Sequence, residues 1–176
     1  MRRICVYCGS RDGDDPAFAR AAEAVGAGIA ARGFGLVYGA GDVGLMSRVA
    51  AAALKGGAEV IGVIPHHLRT REIERSGLTE LIRVATMHER KTIMFERADS
   101  FVALPGGPGT LDELIELLTW RQLGLHEKPA HLLNLGGYWD PLLALFRQCV
   151  DRGFASPGFL DYLAVHETPE ALLEAL

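Results

Sequence analysis

The chain has 176 residues, enough for one domain with one core at about 100 to 200 residues per domain, which excludes a two-domain enzyme. Hydrophobic residues make up 49% and charged residues 23%, a globular composition too apolar for a disordered chain. The net charge is −4, no basic cluster exceeds a dipeptide, no apolar run approaches the ~18 residues of a membrane span, and Met1 opens straight into Arg2-Arg3. These features predict no nucleic-acid partner, no membrane partner and a soluble, cytoplasmic protein.

Strand-like apolar runs alternate with helix-period segments through most of the chain, the βαβ rhythm of a parallel sheet covered on both faces. The expected class is α/β, a Rossmann-like doubly wound, mainly parallel sheet with helices on both faces, the whole chain 1–176 forming one nucleotide-binding domain. A first strand over 4–8 leads through a polar loop, 9–15, into a helix that starts at Pro16, packs through alanines to 32 and stops at Gly33. The second strand, 34–38, runs into Gly39-Ala40-Gly41-Asp42-Val43-Gly44, followed by a helix over 45–55 that Gly56-Gly57 ends. Residues 58–64 are a third strand closed by Pro65, 81–85 a fourth, and 87–98 a helix. The strand 99–104 enters Pro105-Gly106-Gly107-Pro108-Gly109-Thr110 and a helix to about 123. A strand over 130–135, a helix over 141–152 and a short helix over 169–176 complete the chain.

Three cysteines are an odd number and make no disulfide framework, so the predicted compartment is reducing. Cys5 and Cys8 have the C-x-x-C spacing, but within a buried strand two thiols three residues apart point to opposite faces, which favours two small buried hydrophobes over a redox pair. His66-His67 lacks a third ligand at helical spacing and reads as surface, so no metal site is predicted.

In open α/β sheets ligands bind beyond the carboxyl ends of the strands, and three loops there are glycine-rich: Gly9-Ser10, 39–44 and 106–109. Glycine lets backbone N–H groups approach an anion, and the helix behind each loop adds the positive end of its dipole, so phosphate is the natural ligand. None ends in Gly-Lys-Ser/Thr, which excludes a Walker A loop. The G-x-G-x-x-G of residues 39–44 follows the second strand and lacks the acidic residue about 20 positions on that would hold a ribose, so a redox dinucleotide is disfavoured. One such loop fits a tight turn as well as it fits phosphate. Three together at strand ends favour a nucleotide.

The segment 105–113 joins an anion-binding loop to the carboxylates Asp112 and Glu113, with Glu116 a turn after Glu113 on the same face. Asp112 reads first as a complement to the helix dipole, worth about 0.3–1 kcal/mol. Upstream, Arg90 and Lys91 place two cations near another helix start, where they oppose the dipole. Either an anionic ligand or a solvated face paired through Glu89 accounts for them.

Met87-His88-Glu89-Arg90-Lys91 followed by P-G-G-x-G-T-x-x-E at 105–113 resembles the LOG ("lonely guy") family of cytokinin riboside 5'-monophosphate phosphoribohydrolases, long labelled lysine decarboxylases. The likeness runs from Cys8-Gly9-Ser10 through Tyr38-Gly39-Ala40-Gly41 and Gly44-Leu45-Met46 to residues 119–124 and Lys128-Pro129. It implies hydrolysis of the N-glycosidic bond of a purine nucleoside 5'-monophosphate, AMP or an N6-substituted AMP, to free base and ribose 5-phosphate. It further implies Arg90 and Glu113 as the catalytic pair. Substrate contacts would come from Ser10, Gly41, Glu72, Lys91, Gly106, Gly107, Pro108, Gly109 and Thr110, with His88 helping to hold the loop. Neither metal nor organic cofactor is implied. Departures from the family pattern, namely Arg11, Ala40, Asp42, Ser47 and Pro108, bear on substrate preference more than on reaction type.

The resemblance implies a homodimer or higher homo-oligomer, and the helix after the loop carries Leu111, Leu114, Ile115, Leu117, Leu118 and Trp120, too many for one sheet face. Lysine decarboxylation would need a Schiff-base lysine, and none of Lys55, Lys91 and Lys128 stands in a cofactor-binding context. The competing reading is a non-catalytic nucleotide-binding or carrier protein of the same fold, since identical loops bind a nucleotide without cleaving it.

Overall fold

The computed structural model describes residues 1–68 and 77–176. Among these residues seven strands form one sheet, all parallel: β1 (Arg3–Tyr7), β2 (Gly35–Tyr38), β3 (Val60–Pro65), β4 (Glu80–Val84), β5 (Ser100–Ala103), β6 (Ala130–Leu133) and β7 (Ala164–His166), in the order β4-β3-β2-β1-β5-β6-β7. The helices are α1 (Pro16–Ala31), α2 (Gly44–Lys55), α3 (Met87–Glu96), α4 (Pro108–Gln122), α5 (Asp140–Asp151) and α6 (Pro169–Glu174). The strands and helices expected from periodicity are all present, with ends moved by one or two residues, and the doubly wound α/β class holds. Missing from the expectation are β7 and three short 3-10 helices, His66–Leu68, Leu135–Gly137 and Pro157–Tyr162.

Each face of the sheet carries its own core. Val6, Leu36 and Tyr38 pack with Val25 and Ile29 of α1, Val49 and Ala53 of α2, and Leu172 of α6. On the other side Cys5, Val37, Phe101 and Leu132 pack with Met94 of α3, Leu114 and Leu118 of α4, and Phe146 of α5. The two thiols therefore lie on opposite faces, as the strand reading required: Cys8 joins the first core and Cys5 the second. Burial, with the nearby Glu113 carboxylate adding to it, holds both far above the ordinary thiol range, so neither is a ready nucleophile.

Gly26 lets α1 and α2 approach closely. A Cβ there would stand 2.2 Å from the Val49 carbonyl oxygen, and one on Gly56 at the end of α2 would stand 2.5 Å from Ala30 Cβ, so the alanine-rich contact between these helices depends on missing methyls at both positions. Asp15 caps α1 by accepting from Ala17 N at 2.7 Å, and Pro16 fills the first helical position, where its missing N–H is no loss. Charged side chains also tie element ends together. Arg3 of β1 donates to Glu59 at 2.7 Å, and the Lys128 ammonium donates to the Phe95 and Ala98 carbonyls at 2.7 and 2.8 Å where α3 ends. Among the described residues no helix is long and apolar enough to cross a membrane.

Candidate active site

The winding changes direction between β1 and β5, which are neighbours in the sheet although α1, α2 and α3 separate them in sequence. A crevice opens there beyond the strand ends, where an α/β sheet binds its ligands. The loops leaving β1 and β5 are stitched together across it by Gly9 N donating to the Pro105 carbonyl at 3.1 Å.

The floor is the N-terminus of α4. No side chain caps it: Gly107 is the N-cap, and Pro108 stands in the first turn, followed by Gly109 and Thr110. At Gly107 and Gly109 an added Cβ would meet nothing within 4 Å, and neither has the left-handed φ that favours glycine. The protein's own packing thus gives no reason for these two glycines. Open space beside unpaired helix-start N–H groups is what an anion requires. Gly106 differs. A Cβ there would stand 2.1 Å from Thr110 Oγ1 and 2.9 Å from Gly9 N, so it is a packing glycine, and its carbonyl accepts from the Tyr138 hydroxyl at 2.6 Å.

Arg90 enters from α3. Thr86 and Glu89 form a capping box at the start of that helix: Thr86 Oγ1 accepts from Glu89 N at 3.1 Å, and Glu89 Oε2 accepts from Ala85 N at 2.8 Å and from Thr86 N. Glu89 is therefore occupied at the cap, and the solvated face paired through Glu89 is not what the structure shows. Arg90 and Lys91 are instead 6% and 7% exposed. Arg90 Nε donates to the Val63 carbonyl at 3.1 Å and Nη2 to the Gly39 carbonyl at 2.8 Å, so the ends of β3 and β2 seat the guanidinium. Arg90 lines a cavity of about 130 Å³ together with Glu113, Thr110, Ser10, Cys8 and Met46, with Gly107, Pro108 and Gly109 on the loop side. The structure thus brings together Arg90 and Glu113, the pair expected to be catalytic.

Lys91 is not among the residues lining that cavity. Its ammonium lies 3.0 Å from Asp112 Oδ2 and 3.0 Å from Glu116 Oε2, clamping α3 to α4. Burial pulls the lysine pKa down, yet the two carboxylate hydrogen bonds outweigh it and leave it above the ordinary value. The reading of Asp112 is corrected accordingly. α4 begins at Pro108, so Asp112 lies beyond the first turn and answers Lys91 rather than the helix dipole. Gly41 is buried in the loop after β2, Ser10 is exposed at the crevice mouth, and Glu72 lies outside the described residues. His88 is exposed on α3, and His66 and His67 are exposed, as expected of surface residues.

A second cavity of about 490 Å³ adjoins the first, sharing Gly9, Ser10, Gly107 and Pro108 with it, and is walled by Phe18, Leu45 and Tyr138. Ligand pockets span about 300–1,000 Å³, so the smaller cavity alone is short of a nucleotide and the two together are not. Phe18 and Tyr138 meet edge to face at 5.5 Å. Sequence reasoning missed them. The signal was Gly136-Gly137, both at positive φ just after β6, which turns the chain so that Tyr138 reaches the glycine loop.

Residues 46–176 match the model of a family described as possible lysine decarboxylases. The chain belongs to this family. Its curated relatives carry a different activity in their names. A cytokinin riboside 5'-monophosphate phosphoribohydrolase of Arabidopsis thaliana is 50% identical over 157 residues, covering 89% of this chain and 72% of that protein. A probable enzyme of the same name from Oryza sativa subsp. japonica is 46% identical over 176 residues, covering 100% of this chain and 72% of its own. Among solved structures, the molybdenum cofactor binding protein of Rippkaea orientalis shares the fold with TM-score 0.75 at 22% identity over 99% of this chain and 95% of that one. The molybdenum cofactor carrier protein of Chlamydomonas reinhardtii does so with the same TM-score, identity and coverage, and at this identity both likenesses concern the fold alone.

Proposed function

We propose that this member of the family is a nucleoside 5'-monophosphate phosphoribohydrolase, cleaving the N-glycosidic bond of AMP or an N6-substituted AMP to give free base and ribose 5-phosphate. The observation that carries the reading is the meeting of Arg90 and Glu113 in one cavity whose floor is the uncapped start of α4. The names of the curated relatives support it.

The 5'-phosphate rests on the N–H groups of Gly107, Gly109 and Thr110, where the open space at the two glycines admits its oxygens. Ser10 and Gly41 add contacts from the neighbouring loops, Pro108 borders the base, and Glu72 is proposed as a further contact. The wider cavity offers the base the rings of Phe18 and Tyr138. In the reaction the C1'–N9 bond breaks through an oxocarbenium-like ribose, water adds to C1', and a proton reaches the departing base. Glu113 serves the ribose, stabilising positive charge at C1' or orienting the water. Arg90 offsets the negative charge that develops on the base or sits on the phosphate. Because loop binding energy positions C1', adenosine is a far poorer substrate than AMP. None of the three lysines lines the cavity, and Lys91 and Lys128 are held by carboxylates and carbonyls, which disfavours Schiff-base chemistry.

The reading includes a single cytoplasmic domain working as a homodimer. The outer side of α4 leaves Ile115 39% exposed beside Leu111 and Trp120, an apolar strip that a second copy covers. Light scattering giving the 19.0 kDa of one chain at micromolar concentration contradicts the dimer. The activity is tested by chromatography of free base and ribose 5-phosphate after incubation with AMP and, in parallel, adenosine. Base released from AMP alone is expected; equal kcat/KM for both removes the phosphate role of the α4 loop.

A further inference from the structure

Between β2 and α2, alanine stands where the backbone favours glycine, and glycine stands where it does not. Ala40 takes φ +62°, in the left-handed region that disfavours a Cβ. Gly39, just before it, lies outside that region. Conformation therefore does not select glycine at 39, and space does. A Cβ on Gly39 would stand 1.8 Å from Arg90 Nη2, 2.9 Å from Arg90 Cζ and 3.3 Å from Met46 Sδ. The guanidinium has little freedom to move aside, being 6% exposed, bound through Nη2 to the Gly39 carbonyl and through Nε to the Val63 carbonyl.

We propose that Gly39 is a positioning residue for Arg90: its bare Cα forms the seat in which the guanidinium lies flat against the ends of β2 and β3, where Arg90 lines the cavity shared with Glu113. The inference rests on the reading of Arg90 as a catalytic group. Gly39 itself touches no reacting atom and acts only through the arginine. Catalytic geometry is held to about half an ångström, and a methyl in this seat displaces the cation by more than that.

The test is a double-mutant cycle of Gly39→Ala and Arg90→Ala on AMP hydrolysis, with a thermal melt of each protein. Arg90→Ala is expected to lower kcat by about 10² or more, the usual effect of losing one charge-stabilising group, and Gly39→Ala by a comparable factor with a smaller change in KM. The double variant is expected to be no slower than Arg90→Ala alone, because the group that the methyl displaces is already gone. It should also melt at the Arg90→Ala temperature, relieved of the clash, even where Gly39→Ala alone melts early. Losses that multiply to about 10⁴ in the double variant, or a double variant that melts below Arg90→Ala by as much as Gly39→Ala melts below the parent, overturn the proposal. An active Gly39→Ala beside an inactive Arg90→Ala overturns the positioning role alone. An Arg90→Ala enzyme at the parent rate overturns the catalytic reading of Arg90, and the positioning role falls with it.

Discussion

Replacing Lys91 by methionine separates a lysine that holds the fold from one that holds the substrate. A desolvated hydrogen bond to a charged group contributes about 1.5–3 kcal/mol, an exposed ion pair about 0–1. The Lys91 side chain is 8% exposed, with Glu116 at 26% and Asp112 at 57%, so the Glu116 contact tends toward the first range and the Asp112 contact toward the second. Methionine keeps the apolar stem and loses both contacts, an expected loss of about 2 kcal/mol. In a domain of this size that lowers Tm by about 4–8 °C. Circular-dichroism melts read the loss, and AMP hydrolysis below the transition should keep kcat/KM within about threefold, since the ammonium faces α4 rather than the cavity. A Lys91→Met protein with the parent Tm and a KM for AMP raised tenfold would refute this reasoning and place the ammonium on the nucleotide.

Gly26→Ala gains up to about 1 kcal/mol of helix propensity, but its methyl meets a backbone carbonyl that cannot move aside, so a net loss of about 1–3 kcal/mol is expected; a raised Tm would show that α1 and α2 slide apart freely. Gly109→Ala has room for its methyl and should melt no lower than the parent, while kcat/KM for AMP falls at least about tenfold because the methyl takes the anion's space; an unchanged kcat/KM dissociates Gly109 from the phosphate. His131 Nδ1 lies 3.1 Å from His166 Nε2, and burial, reinforced by His166 and Arg2, pushes its pKa down to about 4. The unfolded chain then binds the proton first as pH falls from about 6.5, so stability present at neutral pH declines by about 1–3 kcal/mol toward pH 4. His131→Phe should flatten that part of the Tm–pH curve, and an unchanged slope assigns the loss to other groups.

The alternation of apolar runs with helix periods was enough to read six of the seven described strands: five are largely buried hydrophobic runs, as parallel strands covered on both faces are, and the edge strand β4 still carries Leu81, Ile82 and Val84. β7 escaped because Ala164, Val165 and His166 form a three-residue edge strand with its first two residues exposed, no stronger in pattern than a loop. The glycine loop and the Arg90–Glu113 pair were legible as a motif, and the resemblance gave them roles. The partners of the cations were not. Arg90 is seated by carbonyls 27 and 51 positions away, and Lys91 is paired with carboxylates 21 and 25 positions on. Main-chain carbonyls carry no sequence signature, so a buried arginine satisfied by strand ends reads locally like a solvated one. The His131–His166 pair was hidden for a related reason, since its hydrogen bond spans the β6–β7 pairing that the edge strand concealed.

The central claim is that Glu113 and Arg90 cleave what the α4 loop binds, and it is tested most directly by kcat for base release from AMP in the parent and in Glu113→Gln. Glutamine keeps the size and hydrogen-bonding capacity of the side chain and loses its charge. The account predicts free adenine and ribose 5-phosphate from the parent and a kcat lowered by about 10² to 10⁴ in the variant, with AMP affinity little changed. A Glu113→Gln enzyme at the parent rate contradicts the mechanism, and a parent that binds AMP but releases no base contradicts catalysis altogether, leaving these residues as the binding groups of a nucleotide carrier.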